Sequence, residues 1–481
     1  MQGKKSFQEK LFISFQLSDH VPADNLYRRL NEMIDLSFLY ESTASYYGTS
    51  GQKSIDPVVF MKLILAGYLE NLNSDRRIIN ALRLRLDLRY FIGYDLDEEL
   101  PWHSTLSRTR QLYGAHVFTE LFKKVLKQCI DQGMISGRRQ AIDSVFIKAN
   151  ASIDSMLEKD ILNDADDYGR ELMANEEPEP VISIEPDNPA KDQEQDKRPV
   201  ANNTTHYSPV DPDARLSTKP GKPYVLNYLG QVCVDTASHL ITHVQAFLAD
   251  RRDSQCLSPV LVHLVSNLKE HDIAVQEVIA DTNYSSGTAL RALEAMGITG
   301  YIPNTGRFQY ERDGFTYHPE SDHYECKNGK ALTYQGTYGN DKRYTISRKE
   351  CIACPYKKDC IGKKKQAAIN ETTDKPYYDR MHVRMQTKKG KQLMKKRQST
   401  VEPVIGTLVN YLGIKRVNSR GIDQANKCFT MAAIAYNLKK LLKYNPRRID
   451  EKINNIKIAI DKKIHCVMTD LNKNLLLYVV E

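Results

Sequence analysis

QAIDSVFIKA (Gln140–Ala149) is apolar at consecutive rather than alternate positions, and it is rich in β-branched and aromatic side chains. Such a strand is buried on both faces, as in the interior of an α/β sheet. One acid interrupts it: Asp143, set between Ile142 and Val145. An ionised carboxylate in a buried strand is costly unless it is paired or holds a metal. Downstream, strand-like runs cover Tyr224–Asp235 and Leu240–Leu248, a helix follows near Cys256–Leu268, and VQEVIAD (Val275–Asp281) closes on a second acid, Asp281. A helix over Gly287–Met296, stopped by Gly297, and a short strand near Tyr301 continue the alternation. Strands and helices in this order predict an α/β core. Ligands in such sheets bind beyond the carboxyl ends of strands, where the two aspartates can share one edge. Each also has a plainer reading, since Asp at a strand end often forms a turn or a helix cap.

Upstream, the first 135 residues read as helical. Asp56-Pro57 is a helix start with proline in the first turn, and Ser74 opens a second helix through Ile78, Ile79, Leu82, Leu86 and Tyr90. A third begins near Ser104, and a fourth runs through Val117, Phe118, Leu121, Phe122, Val125 and Cys129 to Gly133. Arg76, Arg77, Arg83, Arg85, Arg89, Arg108 and Arg110 are expected on their outer faces. A helix-turn-helix-like DNA module fits this pattern, and so does a plain helical bundle.

Residues 154–205 are rich in Asp, Glu, Pro and Asn and read as a disordered insertion. Residues 305–365, rich in Tyr, Gly, Lys and Cys, read as a small β-rich insertion. Helical periodicity resumes after about residue 380, through Val401, Ile405, Leu408 and Leu412, and again over Ala425–Leu442. Glu402 lies at the end of Ser399-Thr400-Val401-Glu402, which matches a capping box followed by Pro403. It either caps its own helix or projects from that helix toward the two aspartates.

The chain has 481 residues, 41% of them hydrophobic and 27% charged, with a mean hydropathy of −0.51. That suffices for about three packed domains. No apolar run approaches the roughly 18–20 residues that span a bilayer, and no leader-like apolar segment opens the chain. The expectation is a cytoplasmic protein with no membrane partner. The nine cysteines, odd in number and scattered, do not suggest a disulfide framework. Charge is segregated: residues 154–198 carry 15 acidic and five basic side chains, which leaves +18 on the rest of a chain whose total is +8. Residues 357–420 alone hold 17 basic against five acidic residues. A basic surface apart from an acidic segment suits a polyanion, nucleic acid above all.

Taken together, these residues resemble bacterial insertion-sequence transposases of the DDE superfamily, in the branch with an InsH-like N-terminal domain. The stretch Asp56–Arg110 is similar to that N-terminal domain. AIDSVFIKANAS (Ala141–Ser152) is similar to the block of the first aspartate, VIADTNYSSG (Val278–Gly287) to the second, with Tyr284, and RQSTVEPVIGTL (Arg397–Leu408) to the glutamate block, with Gly406. RVNSRG (Arg416–Gly421) resembles the element that follows. Many relatives carry a tyrosine near the position of Met394 and a lysine near that of Val409, so this chain departs from them there.

The resemblance implies an all-α N-terminal DNA-binding domain over 1–135, an RNase H-like catalytic core over 136–445 interrupted by the insertions at 154–205 and 305–365, and a C-terminal tail over 446–481. It implies Asp143, Asp281 and Glu402 as catalytic residues holding two Mg²⁺ or Mn²⁺ ions, which suit oxygen ligands and relieve the mutual repulsion of three carboxylates. The reaction implied is cleavage of double-stranded DNA at the element's terminal repeats, then strand transfer into target DNA, with a homodimer assembled on the ends. A catalytically inactive DNA-binding descendant and a metal-dependent nuclease are the alternatives. Arg76, Arg77, Lys388, Lys389, Lys395, Lys396, Arg397, Arg416 and Arg420 are the expected DNA contacts. The spacings of 138 residues from Asp143 to Asp281 and 121 from Asp281 to Glu402 leave room for an inserted subdomain. Within it, Cys326, Cys351, Cys354 and Cys360 fit either a structural zinc site, with His323 as a substitute ligand, or a set of reduced thiols.

Overall fold

A computed structural model of the chain describes residues 14–48, 50, 54–159, 201–218, 221, 223–305 and 308–444. Of the insertion expected over 154–205, residues 160–200 lie outside the described residues, as does the tail from residue 446 on, whereas its two ends are ordered by pairing of 157–158 with 206–207.

Between residues 17 and 131 the described elements are helical: α1 (Leu17–His20), α2 (Leu26–Met33), α3 (Phe38–Thr43), α4 (Pro57–Leu69), α5 (Asp75–Leu84), α6 (Leu86–Ile92), α7 (His103–Leu112) and α8 (Ala115–Asp131). Two of the sequence signals act as expected. The Asp56 carboxylate accepts from the N–H groups of Val58 and Val59 ahead of Pro57, and the Ser74 hydroxyl accepts from Arg77 N–H. These caps satisfy donors that an isolated helix start leaves unpaired.

One reading is corrected: the helix that opens at Ser74 does not run to Tyr90. Arg85 is extended (φ −116°, ψ 114°) and breaks it in two. Its guanidinium is tied to Glu70 at 2.7 Å and to Asp87 at 2.6 Å, and Leu84 is left 87% exposed. Nor do all the arginines face outward. Arg110 is buried against Asp75 at 2.5 Å, and buried Arg89 donates to the carbonyls of Leu82 and Asp95.

The central sheet is built from β1 (Arg139–Lys148), β4 (Arg215–Ser217), β5 (Val225–Asp235), β6 (Ile241–Leu248), β7 (Glu277–Ile279) and β8 (Thr299–Tyr301). Its spatial order is β6-β5-β1-β7-β8, with β4 beside the start of β5. β5 pairs antiparallel with both β1 and β6, whereas β1, β7 and β8 run parallel. Parallel neighbours need crossovers, and α9 (Asp253–Lys269) and α10 (Gly287–Ala295) supply them. Ahead of the sheet's second strand, β2 (Leu157–Glu158) pairs with β3 (His206–Tyr207).

The β-rich insertion is a separate five-stranded antiparallel sheet of β9 (Phe315–His318), β10 (His323–Cys326), β11 (Ala331–Tyr338), β12 (Asp341–Thr345) and β13 (Ala368–Thr372). It reaches residue 372 rather than 365, because β13 closes it against β12. Short helices α11 (Arg348–Ile352) and α12 (Lys357–Cys360) cross between those two strands. Helices α13 (Lys375–Gln386), α14 (Lys388–Tyr411) and α15 (Ile422–Lys443) follow. Among the described residues, no helix is long and apolar enough to cross a membrane.

α14 and α15 pack on one face of the sheet. The α15 residue Phe429 reaches so close to β5 that a Cβ on Gly230 would lie 2.7 Å from its ring and 2.8 Å from Ile147. Gly230→Ala is therefore expected to lower stability by about 1–3 kcal/mol through overpacking, read as a drop in the thermal unfolding midpoint; an unchanged midpoint would contradict this packing.

Candidate active site

The parallel register of β1 and β7 sets the site. Arg139 lies beside Glu277, Gln140 beside Val278 and Ala141 beside Ile279. Two residues beyond that last rung, on adjacent strands at the same level, come Asp143 and Asp281. Below the rungs, the buried Glu277 carboxylate bonds Arg139 at 2.5 Å and Lys389 of α14. Burial alone would raise its pKa, but the two cations outweigh burial and hold it below the usual carboxylate range. This double pair ties α14 to the strand that delivers Asp281.

Asp143 accepts at Oδ1 from Ser144 N–H (2.8 Å) and at Oδ2 from Arg397 Nη1 (2.8 Å). Arg397 is only 8% exposed, and its Nε is buried with no hydrogen-bond partner. Asp281 caps the short turn Thr282–Tyr284, accepting from Asn283 N–H at 3.0 Å. Its carboxyl is held above the ordinary value by burial first and then by the charge of Asp143, against the pull of Arg397. The two acids thus act on each other, and one guanidinium serves both.

Sequence reading missed a third acid beside them. Asp253, at the start of α9, adds to the upward push on Asp281. It accepts from Gln231 Nε2 at 2.8 Å, and the Gln231 oxygen accepts from the buried Tyr284 hydroxyl. The usable signal was its place just after a strand and opening a helix, where α/β folds collect functional groups. Burial, then the charges of Asp253, Asp143 and Asp281, keep the Tyr284 phenol well above its usual range, so it stays a hydrogen-bond donor.

Glu402 stands on the exposed side of its helix. It lies within α14, which starts at the Thr387 cap, so the capping-box reading of Ser399–Glu402 is also overturned. Ser399 and Thr400 instead bond back to the Lys396 carbonyl. Glu402 follows Arg397 by five residues and so stands about 140° around the helix from it. Arg397, Val401, Val404 and Leu408 form the buried stripe. Glu402 is exposed, within about 40° of Lys388, Lys391 and Lys395.

Of the expected DNA contacts, Arg76, Arg77, Lys388, Lys395, Lys396 and Arg420 are exposed. Lys389 is exposed as well but is engaged with Glu277, whereas Arg397 is buried against Asp143. Arg416 donates to Asn150 at 2.9 Å, just beyond β1, where Val417 N–H also bonds the Lys148 carbonyl. Met394 packs against Ile279, Tyr301 and Leu393.

Cys326, Cys351, Cys354 and Cys360 line one small cavity. Burial and then the other three thiols push Cys360 above its usual pKa, and Ala367 N–H donates to Cys351 Sγ at 3.4 Å. His323 is not among them; its ring stacks on His318 and bonds Ser321. Cys129, Cys233, Cys256 and Cys428 are core residues, and Cys466 lies outside the described residues. Among the described residues no three His, Cys, Asp or Glu side chains are placed to hold an ion as they stand, so either the acids or the thiols would have to rotate inward to close a ligand shell.

Residues 15–112 match the family model described as Transposase domain (DUF772), and residues 325–442 match the one described as Transposase DDE domain. The second match contains Arg397 and Glu402; Asp143 and Asp281 lie outside both. No curated protein matches the sequence. Among solved structures, the Mos1 transposase paired-end complex with left transposon end is similar at 9% identity over 53% of this chain and 60% of that chain, with a TM-score of 0.17. The piggyBac transposase synaptic complex with hairpin DNA is similar at 10% identity over 87% and 81%, with a TM-score of 0.25. The chain thus spans about 60% of the length of the Mos1 chain it matches.

A raised carboxyl pKa means the folded protein holds that proton more tightly than the unfolded chain. The ionised form of Asp281 therefore costs stability above the carboxylate range, and the cost vanishes as pH falls through it. Asp281→Asn, which keeps an acceptor for Asn283 N–H, is expected to raise the unfolding midpoint at pH 7 without divalent metal. The difference from wild type should shrink toward pH 4. A destabilised variant at pH 7 would contradict the repulsion described.

Proposed function

We propose that this chain, which carries a DUF772 transposase domain and a transposase DDE domain, is a metal-dependent transposase that cuts DNA at the ends of its element and joins the freed 3′ ends to target DNA. The sheet order β6-β5-β1-β7-β8, three antiparallel strands followed by two parallel ones, supports an RNase H-like core. The InsH-like helical region ahead of it would be the DNA-binding domain. The single observation that carries the chemistry is the side-by-side pair Asp143 and Asp281, whose repulsion leaves unmet demand for a cation that only Arg397 now answers.

These donors suit Mg²⁺ or Mn²⁺, since the pair offers only oxygen ligands. When bound, divalent metal would activate the attacking water or 3′-hydroxyl and stabilise the leaving oxygen. The side chains do the positioning. Ser144 N–H and Asn283 N–H fix Oδ1 of each aspartate, which leaves Oδ2 of Asp281 to turn toward the ion, while Oδ2 of Asp143 would have to be released by Arg397. Arg397, whose Nε is buried and unpaired, would have to turn outward from Asp143 to give a phosphoryl oxygen a charge-assisted donor. The lysines at 388, 395 and 396 would hold the backbone electrostatically. Glu402 would complete the metal shell on a turn of α14 that the DNA-bound state supplies, in a homodimer on paired ends. A structural zinc held by Cys326, Cys351, Cys354 and Cys360 is the second metal in this reading, supported by the shared cavity.

Labelled element-end DNA with Mg²⁺ tests the function. Wild type is expected to give cut and joined products, and Asp143→Asn to give neither while still binding DNA. Cutting without joining would make the protein a nuclease, and binding without cutting an inactive descendant. Binding of Mg²⁺ or Mn²⁺ at about 100-fold over its dissociation constant should stabilise wild type by about 2.7 kcal/mol and leave Asp281→Asn unaffected. For the thiols, metal analysis of the purified protein is expected to find zinc that Cys354→Ser loses; a zinc-free wild type would establish reduced cysteines.

A further inference from the structure

Trp102 is the only tryptophan in the chain, and it is 71% exposed at the start of α7. An indole left in water without a packing role is unusual, since tryptophan is highly buried on average. It stands at the rim of a groove of about 430 Å³ whose wall includes Arg76, Arg83 and His103. Arg76 and His103 also line a second groove of about 700 Å³, which continues past Arg77 to Asn150 and Arg416. The two grooves adjoin at Arg76 and His103, which line both and whose side chains meet at 3.3 Å. Taken as one trough, they run from Trp102 to Asn150, two residues past the end of β1 and seven beyond Asp143, or roughly 20 Å along the chain.

The lining chemistry selects the occupant. Arg76, Arg77 and Arg416 present fixed positive charge, with Asn150 bonded to Arg416 and Asp75 already neutralised by Arg110. Near Trp102 the wall also carries Ile79, Leu100, Pro101 and one acid, Glu99; farther along, past His103, it is largely polar, and Trp102 presents the one large flat aromatic face. Cations along a groove with an aromatic at its end match a nucleic-acid strand: phosphates follow the cations and an unpaired base stacks on the ring. A protein partner would call instead for an apolar patch at the centre.

We propose that this trough binds one strand of DNA leading away from the cleavage centre, and that Trp102 stacks on a base no longer paired in the duplex. This deepens the transposase reading and rests on it. The strand is held by Arg76, Arg77 and Arg416 through its phosphates, and Trp102 discriminates a frayed or unpaired position from an intact helix.

The lone tryptophan makes the test direct. Full-length protein is titrated, in EDTA, with a fully paired 30-base-pair duplex and with the same duplex carrying an unpaired single-stranded end, while tryptophan emission and the anisotropy of labelled DNA are both followed. Emission is expected to be quenched by the DNA with the unpaired end and much less by the duplex. Trp102→Ala should weaken binding of the former about tenfold, in line with base–aromatic stacking, and leave duplex binding unchanged; Trp102→Phe should restore most of the loss. Arg77→Ala should weaken both DNAs and flatten the salt dependence. DNA binding with unmoved emission and an unaffected Trp102→Ala would overturn this inference alone, leaving cleavage and joining intact. Absence of binding to either DNA, together with absence of metal-dependent cutting, would instead overturn the transposase reading beneath it.

Discussion

Two carboxylates held at one level on adjacent strands repel each other, and much of the molecule is arranged around that repulsion. The register that pairs Ala141 with Ile279 leaves Asp143 and Asp281 no choice of position. α14 answers by burying Arg397 against Asp143, and it is kept in place by Lys389 on Glu277 and by Leu393 packed on Ile279 and Tyr301. A helix carrying a buried arginine is costly to seat unless the guanidinium meets charge, so acids and helix require one another. The arrangement is a pair of acids only partly compensated by one cation that the protein supplies.

The same logic explains the third acid. Asp253 adds negative potential near Asp281, and the Tyr284–Gln231–Asp253 chain helps fix its direction through hydrogen bonds.

What could be read from the sequence divides by range. Asp56-Pro57 and Ser74 announced helix starts because capping is settled within three residues. The unbroken apolar run around Asp143 announced a buried strand because burial on both faces leaves its mark at every position. Asp143 and Asp281 stood out for the same local reason, each an acid where apolar residues were expected. The break at Arg85 did not, because the helical period continues through it and only the ion pairs with Glu70 and Asp87 divert the chain. Arg89 and Arg110 were expected outside, since nothing local tells a solvated arginine from one buried on carbonyls or on Asp75. Arg397 meets Asp143 across 254 residues, and the outward turn of Glu402 depends on which face of α14 the sheet selects. The composition of the 305–365 stretch suggested β structure, but β13, beyond that stretch, joins through pairing with β12.

The small ladder of β2 and β3 has a bearing on how such a chain can vary. Leu157 and Glu158 pair with Tyr207 and His206, and Lys159 N–H bonds the Thr205 carbonyl at 2.9 Å, so the long excursion between them leaves and returns through a closed neck. The entropy of closing a loop grows only with the logarithm of its length, about 0.6 kcal/mol for each doubling. With the ends already clamped, an element spliced in or deleted at this point taxes the sheet very little. The neck therefore works as a splice port, a place where acidic sequence can accumulate or be shed over generations while the spacing of Asp143 and Asp281 in space stays the same.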